Sequence, residues 1–169
     1  MRGLGVSADP EAILTANAPD LLKYFERRER NDAPDLLAET LLVAWRRAED
    51  LPADPIEARM WLFVIARTVL LGHGRDSARR SRLADRLRER TRLESTRDSD
   101  LALDVRSAIA ELPAADAELI RLVHWEGMTL AGASQVLGLN SSTARGRYQR
   151  ARETLAARLG HSVGQKAQA

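Results

Sequence analysis

Apolar residues recur along this chain at intervals of three and four, the spacing that places them on one side of an α-helix. No alternation of apolar and polar residues, the pattern of a half-buried strand, is evident, and β-branched residues are sparse. The pattern predicts helices near 10–30, 34–49, 56–71, 100–111, 114–125, 129–137 and 142–159. It leaves open whether the third helix continues through 72–74. We therefore predict an all-α fold.

Polar and proline-containing segments separate the predicted helices. Asn31 and Asp32 are expected to end the first helix and cap the second, in which Pro34 suits the first turn. Segment 50–55 contains two prolines and two aspartates, which predict a loop. Segment 77–100 has many charges and few large apolar residues, which predict a charged helix tail and a linker. The predicted organisation is two small helical domains, 8–80 and 100–160, joined by a flexible charged linker, 81–99.

Charge is arranged in blocks, although the net formal charge is only +2. Residues 31–57 carry seven acidic residues against two arginines, a net of −5, and residues 72–97 carry nine arginines against four acidic residues, a net of +5. Residues 98–118 return to −5 and residues 141–158 to +4. Such blocks suit separate anionic and cationic partners. Arginine supplies nearly all the basic side chains, which permits nucleic-acid binding, although a GC-rich coding bias explains the same excess.

Composition argues against several other classes of protein. The chain has no cysteine, so neither disulfides nor thiolate metal sites are possible, which fits a reducing cytosol. The N-terminus lacks a long apolar segment, so no signal peptide is evident. The longest apolar run, Met60–Ala66, is far short of the roughly 20 residues of a membrane span. We expect a cytoplasmic protein without direct membrane insertion.

Candidate catalytic and metal-binding residues are scarce. The three histidines, His73, His124 and His161, are scattered along the chain, and no carboxylate–histidine spacing suggests a metal site. No glycine-rich phosphate loop follows a strand. His124, beside Trp125, is expected in the core or at an interface. We therefore expect no metal, no cofactor and no enzymatic activity.

The segment 129–159 predicts a helix-turn-helix. Thr129 is expected to cap a short helix, Gly138 to end it in the left-handed conformation, and Ser141 or Ser142 to cap the next helix. Ser134 is small enough for the two helices to cross closely. In such a unit the second helix enters the DNA major groove through its N-terminal residues.

The helical wheel of the last helix separates a buried side from a DNA-reading side. Its apolar stripe consists of Ala144, Tyr148, Ala151, Leu155 and Leu159. The opposite side carries Ser142, Gly146, Gln149 and Arg150, and the flanks carry Arg145, Arg147 and Arg152. We expect Ser142, Gln149 and Arg150 to contact base edges, and Arg145 and Arg147 to contact mainly phosphates. A solvated amphipathic helix is the alternative, but the capped turn before it favours DNA binding.

The block 112–159 resembles region 4 of the bacterial sigma-70-family factors, which reads the −35 promoter element. The matching features are "LP" opening a helix, "EGMT", "VLGL" at the turn and "STARGRYQRAR" in the recognition helix. Through the last motif the resemblance adds Thr143 to the expected −35 contacts. Response-regulator output domains share much of this pattern.

The first half of the chain distinguishes these families. "DAPDLLAETLLVAWRRAEDL" (32–51) resembles region 2.2, and "EARMWLFVIARTVLLGHGRDSARR" (57–80) resembles regions 2.3 and 2.4. The blocks lie in family order with no room for regions 1.1 or 3, as in the extracytoplasmic-function (group 4) sigma factors. The resemblance, over roughly 10–160, implies a sigma factor that binds core RNA polymerase and directs initiation through the −10 and −35 elements. A stand-alone helix-turn-helix regulator is the alternative.

The resemblance also implies site residues in the first half. The clamp helices of the largest polymerase subunit would bind a charged stripe of Asp35, Glu39, Leu42 and Arg46, which plain solvent exposure also explains. The apolar stripe beside it is expected to be Leu37, Leu41, Ala44, Trp45 and Ala48. The −10 element would be opened and held by Leu51, Arg59, Arg67, Thr68, Leu71, His73 and Arg75. Trp61 matches a family tryptophan, although core packing explains it equally.

Departures from the family pattern concern the −10 contacts and the core of the predicted second domain. The loop Leu51–Ile56, which by resemblance holds a flipped base, lacks the usual Phe-Arg-Gly pattern, and Thr68 stands where Asn is common. We therefore expect altered −10 specificity. Ala133 and Ala144 replace larger residues, which predicts looser packing or compensation by Tyr148. The family also implies an anti-sigma partner.

Overall fold

The computed structural model describes residues 9–84 and 100–166, with side chains for residues 9–75 and 105–160. Within these ranges the chain forms helices and no strand, which confirms the predicted all-α class. The helices are α1 (Pro10–Glu26), α2 (Ala33–Arg46), α3 (Pro55–Ala84), α4 (Asp100–Ala110), α5 (Ala114–His124), α6 (Leu130–Leu137) and α7 (Ser141–Lys166), with a 3-10 turn at Ala48–Asp50. No helix in these ranges is both long and apolar enough to cross a membrane.

Helix α3 begins one residue earlier than predicted, and the structure decides its other end, which the sequence left open. Asp54 caps the helix, since its Oδ1 accepts from the backbone N–H groups of Ile56 and Glu57, each at 2.9 Å. Pro55 was expected in the loop, but it occupies the first helical position, where its missing N–H is not needed. The helix then continues through 72–74 to Ala84, past the start of the predicted linker. Residues 85–99 of that linker lie outside the described residues.

The chain divides into two compact units, Met1–Arg90 and Thr91–Ala169. In the first unit α1, α2 and α3 pack against one another. An aromatic cluster fills their core: Tyr24 meets Phe25 and Phe63 edge to face, with ring centroids 5.2 and 5.4 Å apart. All three rings are fully buried.

The apolar stripe of α2 lies only partly on the buried side of the helix. The buried residues are Ala33, Leu36, Thr40 and Ala44, of which only Ala44 belongs to the stripe. Trp45, also of the stripe, is 55% exposed. The buried positions are mostly small, and the Thr40 hydroxyl is satisfied by donating to the carbonyl of Leu36 at 2.7 Å. Small residues on this side of α2 permit close approach of α1 and α3.

The second unit consists of α4 to α7. Its core combines residues from α4, the segment after it, α5 and α7, namely Ile109, Leu112, Ala117, Ile120 and Ala151. Val105, Trp125, Tyr148 and Leu155 pack around this cluster. The recognition helix α7 is thereby held by the core along one side, which leaves its other side free for a ligand.

Candidate nucleic-acid interface

The helix-turn-helix has the predicted cap at the start of α6 and the predicted glycine at its end. The Thr129 hydroxyl accepts from the backbone N–H of Gly132 at 3.1 Å, which confirms the cap. Gly138 has φ 65° and ψ 30°, the left-handed conformation expected of it. The N–H of Leu139 donates to the carbonyl of Ser134 at 2.9 Å, so the end of α6 is tied down before the chain turns.

Asn140, not a serine, caps the recognition helix. Its Oδ1 accepts from the backbone N–H of Thr143 at 2.8 Å and from the hydroxyl of Ser142 at 2.9 Å. The expectation that Ser141 or Ser142 provides the cap is therefore wrong. Asparagine and serine cap equally well. Which residue becomes the cap of α7 depends on the path of the backbone after Gly138, and the capping residues in the sequence do not determine that path.

The two sides of α7 agree with the predicted wheel. Ala144 and Ala151 are buried, and the other stripe residues, Tyr148, Leu155 and Leu159, are half-buried. The exposed side includes Ser142, Thr143, Arg145, Gln149, Arg150 and Arg152. The N-terminal half of the recognition helix thus presents polar and cationic side chains while its apolar edge is covered.

Two of the predicted base-reading side chains have contacts within α7. The amide nitrogen of Gln149 donates to a carboxylate oxygen of Glu153 at 2.8 Å. The guanidinium of Arg150 lies beside Gly146, since a Cβ added at that glycine would be 3.5 Å from Arg150 Nη1. A Cβ at that distance would make only ordinary van der Waals contact, so the Arg150 side chain does not depend on the glycine. The bond to Glu153 uses one N–H of Gln149 and leaves its second N–H and its carbonyl oxygen for a base contact.

Arg147 differs from the other arginines of α7 because it is partly buried and held by another helix. Its Nη1 lies 3.4 Å from Oδ1 of Asp116, in the first turn of α5. The Asp116 side chain is only 12% exposed and that of Arg147 35%. Sequence reasoning missed Asp116, because nothing in its spacing from Arg147 signals the contact.

His124 lies on the surface, so of its two expected positions the core is wrong and the interface stays a prediction. Its Nε2 forms a hydrogen bond of 2.9 Å with the Tyr148 hydroxyl, and the two rings stack with centroids 6.0 Å apart. The guanidinium of Arg152 lies 5.8 Å from the Tyr148 ring centroid. Ala133 and Ala144 are both fully buried, so these small residues do occupy the interior as expected.

In the first unit, one side of α3 presents three of the predicted −10 residues together. Thr68, Leu71 and Arg75 are exposed, and their spacing of three and four places them on one face. The Thr68 hydroxyl donates to the carbonyl of Val64 at 2.8 Å. Arg67, half-buried, lies beside this face.

The other predicted −10 residues lie apart from that face. Arg59 precedes Thr68 by two and a half helical turns, about 180° around the helix. Its Nη1 pairs with Asp20 of α1 at 2.7 Å, and its guanidinium lies 4.9 Å from the Phe63 ring centroid. His73 is directed toward Asp32, with Nε2 3.1 Å from Oδ2. Leu51 is half-buried where the loop begins.

The predicted polymerase-binding stripe of α2 is exposed throughout: Asp35, Glu39, Leu42 and Arg46. Exposed Trp45 adds a large apolar surface beside Leu42, which is 48% exposed. Between α2 and α3 runs a groove of about 360 Å³ whose lining includes Glu39, Thr68 and His73. Trp61 is half-buried, with the Arg47 guanidinium 5.7 Å from its ring centroid.

Comparison with known proteins places the chain in a family. Residues 102–155 match the family model "Sigma-70, region 4". The chain is 30% identical over 153 residues to the ECF RNA polymerase sigma factor SigL of Mycobacterium tuberculosis, an alignment covering 85% of this chain and 86% of that protein. It is 31% identical over 152 residues to SigC of the same species, covering 87% and 81%.

Solved structures agree in fold. Sigma factor RpoE of Bartonella quintana, solved with the anti-sigma factor NepR, matches with a TM-score of 0.62 and 24% identity over 88% of this chain and 92% of that one. CnrH, solved with the cytosolic domain of CnrY, matches with a TM-score of 0.53 and 26% identity over 90% and 99%. The helix-turn-helix, the family match within the second unit and the relatives that span both units lead to one conclusion: the chain belongs to the extracytoplasmic-function RNA polymerase sigma factors of the sigma-70 family.

Proposed function

We propose that the two units of this sigma factor divide its work, with residues 8–80 binding core RNA polymerase and the −10 element and residues 100–160 binding the −35 element. The observation that carries the proposal is the exposed N-terminal half of α7, which follows a capped turn with a left-handed glycine. A helix with one buried edge and one polar, cationic edge at this place in a helix-turn-helix is suited to the major groove.

For the −35 element, we assign base contacts to Ser142, Gln149 and Arg150, with Thr143 beside them. Arg145 contacts phosphate directly, because its side chain is exposed near the start of α7. Arg147 also contacts phosphate, in an orientation set by Asp116, so that the guanidinium is shared between a protein carboxylate and the DNA backbone. Phosphate contacts of this kind fix the register of the helix without reading sequence.

For the −10 element, we assign the exposed face of α3 formed by Thr68, Leu71 and Arg75, together with the adjoining Arg67. Leu51 and the loop that follows it hold the flipped base. The Thr68 hydroxyl already donates its proton to the Val64 carbonyl. It would therefore contact a base mainly as a hydrogen-bond acceptor. Arg59 acts at the edge of this surface only after release from Asp20.

For core polymerase, we assign the exposed stripe of Asp35, Glu39, Leu42 and Arg46, extended by Trp45. A surface of acidic groups around a large aromatic side chain combines steering with buried apolar area. Charge reversal at Glu39 would place a cation against the basic polymerase surface that the acidic stripe is proposed to bind. Such like-charge contact costs several kcal/mol and so lowers the affinity for core polymerase at least about tenfold.

The partners and setting follow from the same assignments. We propose that the protein works in the bacterial cytoplasm as a non-enzymatic subunit and that an anti-sigma protein covers its DNA-binding surfaces. The support for a partner is the likeness to CnrH, whose structure was solved with the cytosolic domain of CnrY.

The test is run-off transcription with core RNA polymerase on genomic fragments. We expect initiation at promoters with a bipartite −10 and −35 sequence. Glu39→Arg should weaken core binding in a pull-down at least about tenfold, whereas the control Glu11→Arg, an exposed acidic residue of α1, should leave it unchanged. Failure to initiate at any promoter, with tight operator binding by the protein alone, would refute the proposal.

A further inference from the structure

Three side chains with metal-binding donor atoms converge at the edge of the first unit. Glu29, Asp32 and His73 each place one donor atom within 4.8 Å of the others. His73 Nε2 lies 3.1 Å from Asp32 Oδ2. Spacing along the chain does not signal this cluster, because its carboxylates and its imidazole are far apart in sequence.

The fold holds the backbone at both carboxylates. Glu29 and Asp32 lie in the turn between α1 and α2, where the N–H of Glu29 donates to the Phe25 carbonyl at 2.7 Å. The N–H of Asp32 donates to the Glu29 carbonyl at 3.2 Å, which closes the turn. The Asp32 carbonyl accepts from Leu36 N at 2.9 Å, within the first turn of α2. The backbone positions of Glu29 and Asp32 are therefore fixed relative to each other.

Asp32 has an orientation that its place in the chain does not explain. It occupies the N-cap position of α2, yet its side chain makes no capping hydrogen bond. Capping by aspartate contributes about 1 kcal/mol, so a side chain in this position ordinarily turns to the helix. Here the carboxylate is directed to the imidazole on α3, whose side chain is only 19% exposed.

We propose that Glu29, Asp32 and His73 bind a divalent transition-metal ion of the zinc class, with one imidazole nitrogen, two carboxylate oxygens and water. Bonds of about 2.0–2.2 Å in tetrahedral geometry separate neighbouring ligand atoms by roughly 3.3 Å, close to the observed imidazole–carboxylate distance. Glu29, whose side chain is exposed, closes the remaining distance by rotation about its side-chain bonds. The imidazole favours zinc-class ions over magnesium or calcium.

The bound ion would join the α1–α2 turn to α3 and occupy the ring nitrogen of His73. The family resemblance implies His73 among the −10 contacts, and an ion on its ring nitrogen would withdraw it from the promoter; this consequence rests on the proposed function. Metal binding itself does not. A change in the concentration of divalent metal would therefore change −10 recognition through His73.

The test titrates the full-length protein with Zn²⁺ in competition with a chromophoric chelator. We expect one ion per chain, and loss of affinity by at least about tenfold in each of His73→Gln, Asp32→Asn and Glu29→Gln. Glu26→Gln, an exposed carboxylate at the end of α1, and His124→Gln, in the second unit, are matched controls that should bind as the wild type does. Equal binding by wild type and His73→Gln, or by wild type and the two carboxylate variants, overturns the proposal.

A second measurement covers variants that fold poorly. On addition of Zn²⁺ to the wild type, the imidazole nitrogen resonances of His73 should shift while those of His124 stay in place, and an unmoved His73 overturns the site. Transcription is assayed separately, with and without Zn²⁺, for wild type and His73→Gln holoenzyme. Zn²⁺ binding without any effect on −10 selectivity would refute the contact of His73 with the promoter that the resemblance implies, and would leave the metal site intact.

Discussion

The contact between Arg147 and Asp116 offers a sharp test of how the recognition helix is positioned. We expect Arg147→Gln to destabilise the second unit by about 1–2 kcal/mol, because it leaves a carboxylate that is mostly buried without its cationic partner. The matched control Arg145→Gln removes an exposed cation from the same helix and should change stability by no more than about 0.5 kcal/mol.

The size of the coupling follows from the geometry. Two unit charges 3.4 Å apart attract by about 5 kcal/mol at an effective dielectric constant of 20, which is an upper bound. The Arg147 side chain is 35% exposed, so water screens the pair, and its distance is longer than that of an ideal charged hydrogen bond. We therefore expect a net coupling of about 1 kcal/mol.

A double-mutant cycle measures this coupling. Wild type, Asp116→Asn, Arg147→Gln and the double variant are unfolded in urea, and amide hydrogen exchange in α5 and α7 reports the second unit alone. The double variant should be less destabilised than the sum of the two single changes by about 1 kcal/mol. A coupling energy below about 0.3 kcal/mol would show that Asp116 does not hold Arg147, and the reasoning would fail.

Three further changes test the turn and the reading edge of the recognition helix. Asn140→Ala should destabilise the second unit by about 1 kcal/mol in urea unfolding because it removes the α7 cap, whereas Ser141→Ala should be nearly neutral. A larger loss for Ser141→Ala than for Asn140→Ala would show that the serine is the cap. Gly138→Ala should cost about 1–2 kcal/mol because its φ is 65°, while Gly160→Ala, inside α7, should be neutral or stabilising in the same assay; equal effects would contradict the left-handed turn. Arg150→Ala should lose discrimination among −35 variants by about 1–3 kcal/mol in competition binding, and an equal loss on every variant would reassign it to phosphate contact.

Local signals in the sequence predicted much of this fold. Helix spacing, the cap at Thr129 and the left-handed turn at Gly138 depend on residues within one or two turns of each other, so they can be read directly from the chain. The two sides of α7 were predicted for the same reason, because its apolar stripe repeats over four turns. The motifs in both halves added the family, which the relatives confirm.

Other features depend on which helices pack together. The helical wheel grouped Trp45 with Ala44 in one apolar stripe, but close contact among α1, α2 and α3 buries the small side of α2 and leaves the tryptophan exposed. The pairing of Arg147 with Asp116 and the convergence of His73 on Asp32 join residues distant in sequence. Periodicity determines which residues share a helix face, since that depends on the local backbone. Only tertiary packing decides what that face meets, because side-chain partners from other helices are set by how the helices cross.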